Sequence, residues 1–136
     1  MNYAEFNLTI ALIIRTEAPI ELITNIIGYS PSKCVCDHST SENLWIRYER
    51  YKNIVDIEDY LSCFFVSMPN IDRQILAAKA YGSITLRLSL VSEYGQFGFV
   101  LSPTDLALLQ RIDVPLEVSI FSLGNCMDES ASDDCH

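Results

Sequence analysis

Between Gly82 and Phe121 the chain alternates apolar and polar positions with few interruptions. In Ile84-Thr85-Leu86-Arg87-Leu88-Ser89-Leu90 four aliphatics are interleaved with three polar residues, the period-two pattern of a strand with one buried face. Tyr94-Gly95-Gln96 predicts a turn, and Phe97, Phe99 and Leu101 alternate again as the second strand of a hairpin. Ser102 then stands where an N-cap accepts backbone N–H bonds, Pro103 has the fixed φ of a first helical residue, and Asp105 suits the positive end of a helix. The predicted helix carries Leu106, Leu109 and Gln110 through Arg111. Asp113 to Pro115 end it, and Leu116, Val118 and Ile120 resume the strand period.

Upstream, Phe6, Leu8, Ile10, Leu12 and Ile14 share one strand face. Ala11 and Ile13 on the other face also ask for cover, which predicts a central strand. Pro19 opens a helix with Ile20, Ile23, Ile26 and Ile27 at helical spacing, and Gly28 supplies a left-handed stop. Residues 32–43 are polar with little periodicity and predict a loop around a short edge strand at Lys33 to Cys36. In the next strand Leu44, Ile46 and Tyr48 oppose Trp45, Arg47 and Glu49, with Tyr51 continuing the second row. Asp56 and Asp59 form a capping pair for a helix whose stripe is Ile57, Tyr60, Leu61, Phe64 and Phe65, with Cys63 on the buried side. Asn70 caps another helix carrying Ile71, Ile75 and Ala78. The predicted order is β-α-(β)-β-α-α-β-β-α-β, an α+β fold with an antiparallel or mixed sheet of five to six strands and helices packed on it. The pattern predicts a single domain over residues 1–123 and an acidic mobile tail over 124–136.

A chain of 136 residues is one domain by length and buries roughly 68–70% of its unfolded surface, enough for a core without staples. Its formal net charge is −9, and four of the 18 acids (Asp128, Glu129, Asp133, Asp134) lie in the tail. The remaining 14 acids against nine bases leave an acidic body, unsuited to the phosphate neutralisation that dominates nucleic-acid affinity. Such a charge fits a basic protein partner, or simply keeps the protein soluble. The run Leu8 to Ile14 is shorter than the ~20 apolar residues a membrane helix needs. With no basic residue before Arg15, the N-terminus lacks the charged region of a secretory signal. An odd count of five cysteines favours reduced thiols. The expectation is a cytoplasmic protein.

The succession of elements from Leu8 through the Pro19 helix, Gly28-Tyr29-Ser30-Pro31, a loop, Trp45, the paired helices, the Ile84 to Val91 strand and Leu101-Ser102-Pro103 resembles the bacterial domain-of-unknown-function 4279 family over roughly residues 5 to 122. Members of that family are small cytoplasmic proteins, some encoded near polymorphic toxins, so the resemblance implies an immunity-type role in toxin neutralisation. It transfers no active-site residue. The cysteine-rich loop and the acidic Cys-His tail depart from the family pattern.

Candidate chemistry is sparse. Cys34-Val35-Cys36-Asp37-His38 brings thiols and an imidazole together, but zinc sites use Cys-x2-4-Cys with a second ligand pair, and only Cys126, Cys135 and His136 could supply one. A loop with incidental thiols accounts for it better. A Cys–His dyad needs a rigid base, and His38 and His136 both fall in predicted flexible segments. Glu58-Asp59 are sequence neighbours on a helix and suit a helix start better than acid–base work. No metal, cofactor or catalytic residue is assigned. The binding candidates are Trp45, Arg47, Glu49 and Tyr51, an aromatic-plus-Arg row of the type that anchors interfaces, with Glu42 at the loop's end. The alternative is that helices cover this face and Trp45 is core. The functional expectation is a non-enzymatic binding protein for a protein partner, a basic toxin in particular. The alternatives are an acidic inhibitor imitating nucleic acid, carried by a phage or plasmid, and a metal- or thiol-dependent module at Cys34, Cys36 and His38.

Overall fold

The computed structural model describes residues 5–95 and 98–125. The elements are β1 (Phe6–Thr16), α1 (Ile20–Ile27), β2 (Lys33–Asp37), β3 (Glu42–Ile54), α2 (Glu58–Val66), α3 (Ile71–Ala78), β4 (Gly82–Tyr94), α4 (Pro103–Ile112) and β5 (Leu116–Asn125). They build a five-stranded mixed sheet in the order β2-β3-β1-β4-β5, so β1 is the central strand. Every pairing is antiparallel except β4 with β5, which is parallel and therefore needs a crossover, supplied by α4.

One face of the sheet makes the core. Phe6, Leu8, Ile10, Leu12 and Ile14 of β1 and Ile84, Leu86, Leu88 and Leu90 of β4 join Ile23 and Ile27 of α1, Leu61, Phe64 and Phe65 of α2, Ile71 and Ile75 of α3, and Leu108 and Ile112 of α4 in one buried cluster. All four helices thus lie on the same side. The helix ends follow local chemistry. Gly28, at φ 82°, closes α1 in the left-handed region and donates its N–H to the Thr24 carbonyl at 2.8 Å. At α4, Ser102 Oγ accepts from the Asp105 N–H at 3.1 Å while Asp105 Oδ2 accepts from the Ser102 N–H at 3.2 Å, a complete capping box with Pro103 at the first helical position. Asp56 Oδ1 accepts from the Glu58 N–H before α2, whereas Asn70 takes the N-cap place of α3 at φ 63° with no side-chain cap bond.

Four expectations are corrected. The hairpin strand at Phe97 to Leu101 does not form over Gly98–Leu101, and Phe97 lies outside the described residues. The edge of β4 is occupied instead by β5, and Phe99 and Leu101 pack against the core from a connector. The buried positions of α4 are Asp105, Leu108 and Ile112, leaving Leu106 exposed, because the capping box turns Asp105 inward and so sets the helix phase. Cys63 is exposed on α2, beside rather than within its buried stripe. β5 continues through Asn125, so Gly124 and Asn125 belong to the sheet, and the tail expected from there onward lies outside the described residues.

Candidate interaction surface

The register of β3 on β1 sets Trp45 beside Ile14, Arg47 beside Leu12, Glu49 beside Ile10 and Tyr51 beside Leu8, so the predicted row does share one face. That face is the helix-covered one. Trp45 is 0% exposed, and its Nε1–H donates to Thr24 Oγ1 of α1 at 3.2 Å. The Arg47 guanidinium lies 5.5 Å from the centre of the Tyr29 ring and donates to the Ser30 carbonyl at 2.8 Å, fixing the turn that follows α1. Tyr51 packs on Tyr60 with ring centres 4.6 Å apart. Burial, then the nearby Glu49 carboxylate, pushes its phenol above the usual 10.0. Glu49 is exposed. For Trp45 the core alternative is the observed one, while Arg47 and Tyr51 are half-buried.

Glu42 sits on the opposite face, where Arg15 Nη1 meets its Oε1 at 3.4 Å. Among the described residues no helix lies on this face. Ala11 and Ile13 are 7% and 5% exposed yet stand outside the core cluster, shielded by flanking side chains such as Ile46, which pairs with Ile13. Leu44, Ile46 and Tyr48 of β3 are half-buried there, and Val35 of β2 is exposed beside Leu44. Charge rims the strip. Arg50 stacks 4.9 Å from the Tyr48 ring centre, Arg87 bonds Glu117 at 3.1 Å, and Lys33 and Lys52 stand exposed. Strand alternation puts Arg15, Lys33, Arg50, Lys52 and Arg87 on this face against Asp37, Glu42, Glu93 and Glu117. Ten of the 14 acids at positions 5–125 lie elsewhere, on the helix side and the ends, with four basic residues. The net acidity therefore belongs to the helical side, and the bare face is balanced. Sequence reading passed over Arg50 and Lys52; the signal was the second row of β3, which lies beside Ala11 and Ile13, the two residues whose apolar side chains asked for cover on this face.

At the β2 edge Cys34 and Cys36 are two residues apart on one strand face, both exposed and free. Asp37 is engaged locally, accepting from the Ser39 hydroxyl at 2.7 Å and its N–H at 2.9 Å, bonds that hold its carboxyl below 3.8. Among the described residues no group of three or more His, Cys, Asp or Glu is placed to hold a metal ion, and no helix is long and apolar enough to cross a membrane. Cys126, Cys135 and His136 lie outside the described residues. A separate groove of about 470 Å³ opens between the α2–α3 turn and α4, walled by Phe65, Met68 and Leu108 with Asp72, Thr104 and Arg111 at its polar positions. Neither histidine nor cysteine lines it, so it offers no thiol or imidazole nucleophile.

Compared with protein-family models, curated proteins and solved structures, the chain matches none.

Proposed function

We propose that this is a non-catalytic binding protein that docks a protein partner on the bare face of its sheet, and that its biological role is immunity-type neutralisation of a bacterial toxin. The observation that carries the docking is the strip of half-buried Leu44, Ile46 and Tyr48, apolar at its centre, outside the core cluster and rimmed by Arg15, Arg50, Lys52 and Glu42. An apolar centre with Tyr and Arg inside a polar rim is the anatomy of a protein interface. The toxin rests on the sequence resemblance. The net charge of −9 draws a basic partner towards the helical side rather than to this face, so the docking surface, rimmed by Arg15, Arg50 and Lys52, sets no requirement that the toxin be basic. Exposed free thiols at Cys34, Cys36 and Cys63 suit a reducing cytoplasm.

Co-expression with the product of the adjacent gene tests this reading. The partner should co-purify with the wild type, and Arg50→Glu with Lys52→Glu should abolish protection from toxicity while the melting temperature holds. The absence of any toxin-like neighbour and of any co-purifying protein overturns the role. Unimpaired binding by the double variant overturns the bare face as its site.

A further inference from the structure

The two edges of the sheet differ in kind. At one, β2 is five residues long, follows Pro31 and begins and ends on charge, Lys33 and Asp37. Short length, charge and proline are the ordinary means by which an edge strand avoids pairing. At the other, β5 runs ten residues with a single charged side chain, Glu117, and that one is neutralised by Arg87 at 3.1 Å. Val118, Ile120, Phe121 and Leu123 are 39%, 59%, 59% and 56% exposed along it. No proline lies within it, and its register irregularity against β4 comes only near its end, between Ser92 and Tyr94.

The hydrogen-bonding groups on the free side can be assigned. The Pro115 carbonyl accepts from the Leu86 N–H at 3.0 Å, and in a parallel ladder each residue sends both its N–H and its C=O to the same side. Odd-numbered residues of β5 therefore bond to β4, and Val118 and Ile120 direct both groups outward. The same two residues carry apolar side chains on the helix-side face, where Val118 pairs with Leu88 and Ile120 with Leu90 of the core.

We propose that a second copy of this chain occupies this edge, the two β5 strands pairing antiparallel about a twofold axis to make one continuous sheet. Charge selects this place. Two bodies each carrying −9 repel most strongly through their helical sides, and β5 is a ten-residue stretch with no uncompensated charge among its described side chains. Pairing centred on Ser119 sets Val118 of one copy against Ile120 of the other, so each satisfies the other's N–H and C=O while their side chains continue the core face. The contact is isologous and closes at two copies. Ten residues from each copy fall short of the 20–30 per side of a standard interface, so the dimer should be reversible and concentration-dependent.

The test is sedimentation equilibrium of the full chain under reductant, which excludes disulfide-linked pairs, over a wide concentration range. The weight-average mass should climb from 15.4 kDa towards twice that value. Val118→Pro removes an outward N–H without touching the β4 ladder, and Ile120→Lys puts a charge against Val118 of the other copy, beside the axis. Each should weaken association by about tenfold or more, with circular dichroism and melting temperature near those of the wild type. A chain monomeric throughout the range overturns the proposal. So does a dimer indifferent to both variants, or growth past two copies, which would signal head-to-tail joining of β5 to β2. Arg50→Glu with Lys52→Glu lies on the bare face and should leave self-association intact, which keeps this outcome separate from that of toxin binding.

Discussion

Trp45 on β3 donates its indole N–H to the Thr24 hydroxyl on α1 at 3.2 Å, and through this bond the largest core side chain holds the first helix against the sheet. A buried indole carries a polar atom that must find a partner, and Thr24 is the residue that supplies it. Trp45→Ala should therefore cost about 3–5 kcal/mol, the range for truncating a buried aromatic. Thr24→Val should cost about 1–3 kcal/mol by leaving the indole N–H unpaired. A double-mutant cycle in urea with Trp45→Phe should show coupling between the two sites. Additive effects would mean that the bond contributes nothing to the docking of α1.

Gly82 begins β4 where β4 meets the end of β1. A Cβ there would stand 2.0 Å from the Arg15 carbonyl oxygen, which is main chain in the central strand and cannot swing aside. Gly82→Ala should destabilise by about 1–3 kcal/mol or more, the cost of forcing atoms into a packed site. Gly98, where a Cβ meets nothing within 4 Å, provides the control, and Gly98→Ala should leave the urea midpoint nearly unchanged.

The capping box at α4 predicts an ordered pair of losses. Ser102→Ala removes the acceptor for one N–H and should cost about 1 kcal/mol. Asp105 is 0% exposed and is the acceptor for the Ser102 N–H, so Asp105→Ala strands a donor and should cost more, about 1–3 kcal/mol. Equal losses in thermal melts would show that water replaces the carboxylate.

Tyr51 gives the fold an alkaline limit. Its phenol is raised above 10.0 by burial and by Glu49, so the folded state holds this proton more tightly than the unfolded chain does. The resulting stability is present in full below pH 10.0 and is lost as the pH rises through the folded value. Tyr51→Phe should flatten that decline relative to wild type in urea titrations above pH 10.0 and leave the neutral-pH profile in shape. An unchanged alkaline slope would place the linkage on another group.

The sequence alone determined the type and facing of most elements, because alternation and helical spacing are written locally. Phe6 to Ile14, the Ile23 and Ile27 stripe, the Gly28 stop and the Ser102-Pro103-Asp105 start all stand as the residues demand. It also placed Trp45, Arg47, Glu49 and Tyr51 on one face, for the same reason. Tertiary structure alone decided what each face meets. A period of two says that one side of a strand is buried, yet gives the same pattern whether the neighbour is a hairpin partner or a strand returning in parallel after a helix. Hence Phe99 and Leu101 read as a strand and became a connector, while β5 took the edge of β4. The burial of Trp45, the bare face around Ile13 and Ile46, and the unguarded edge at Val118 and Ile120 all follow from strand order and from the packing of four helices on one side, relations between residues dozens of positions apart that no local pattern carries.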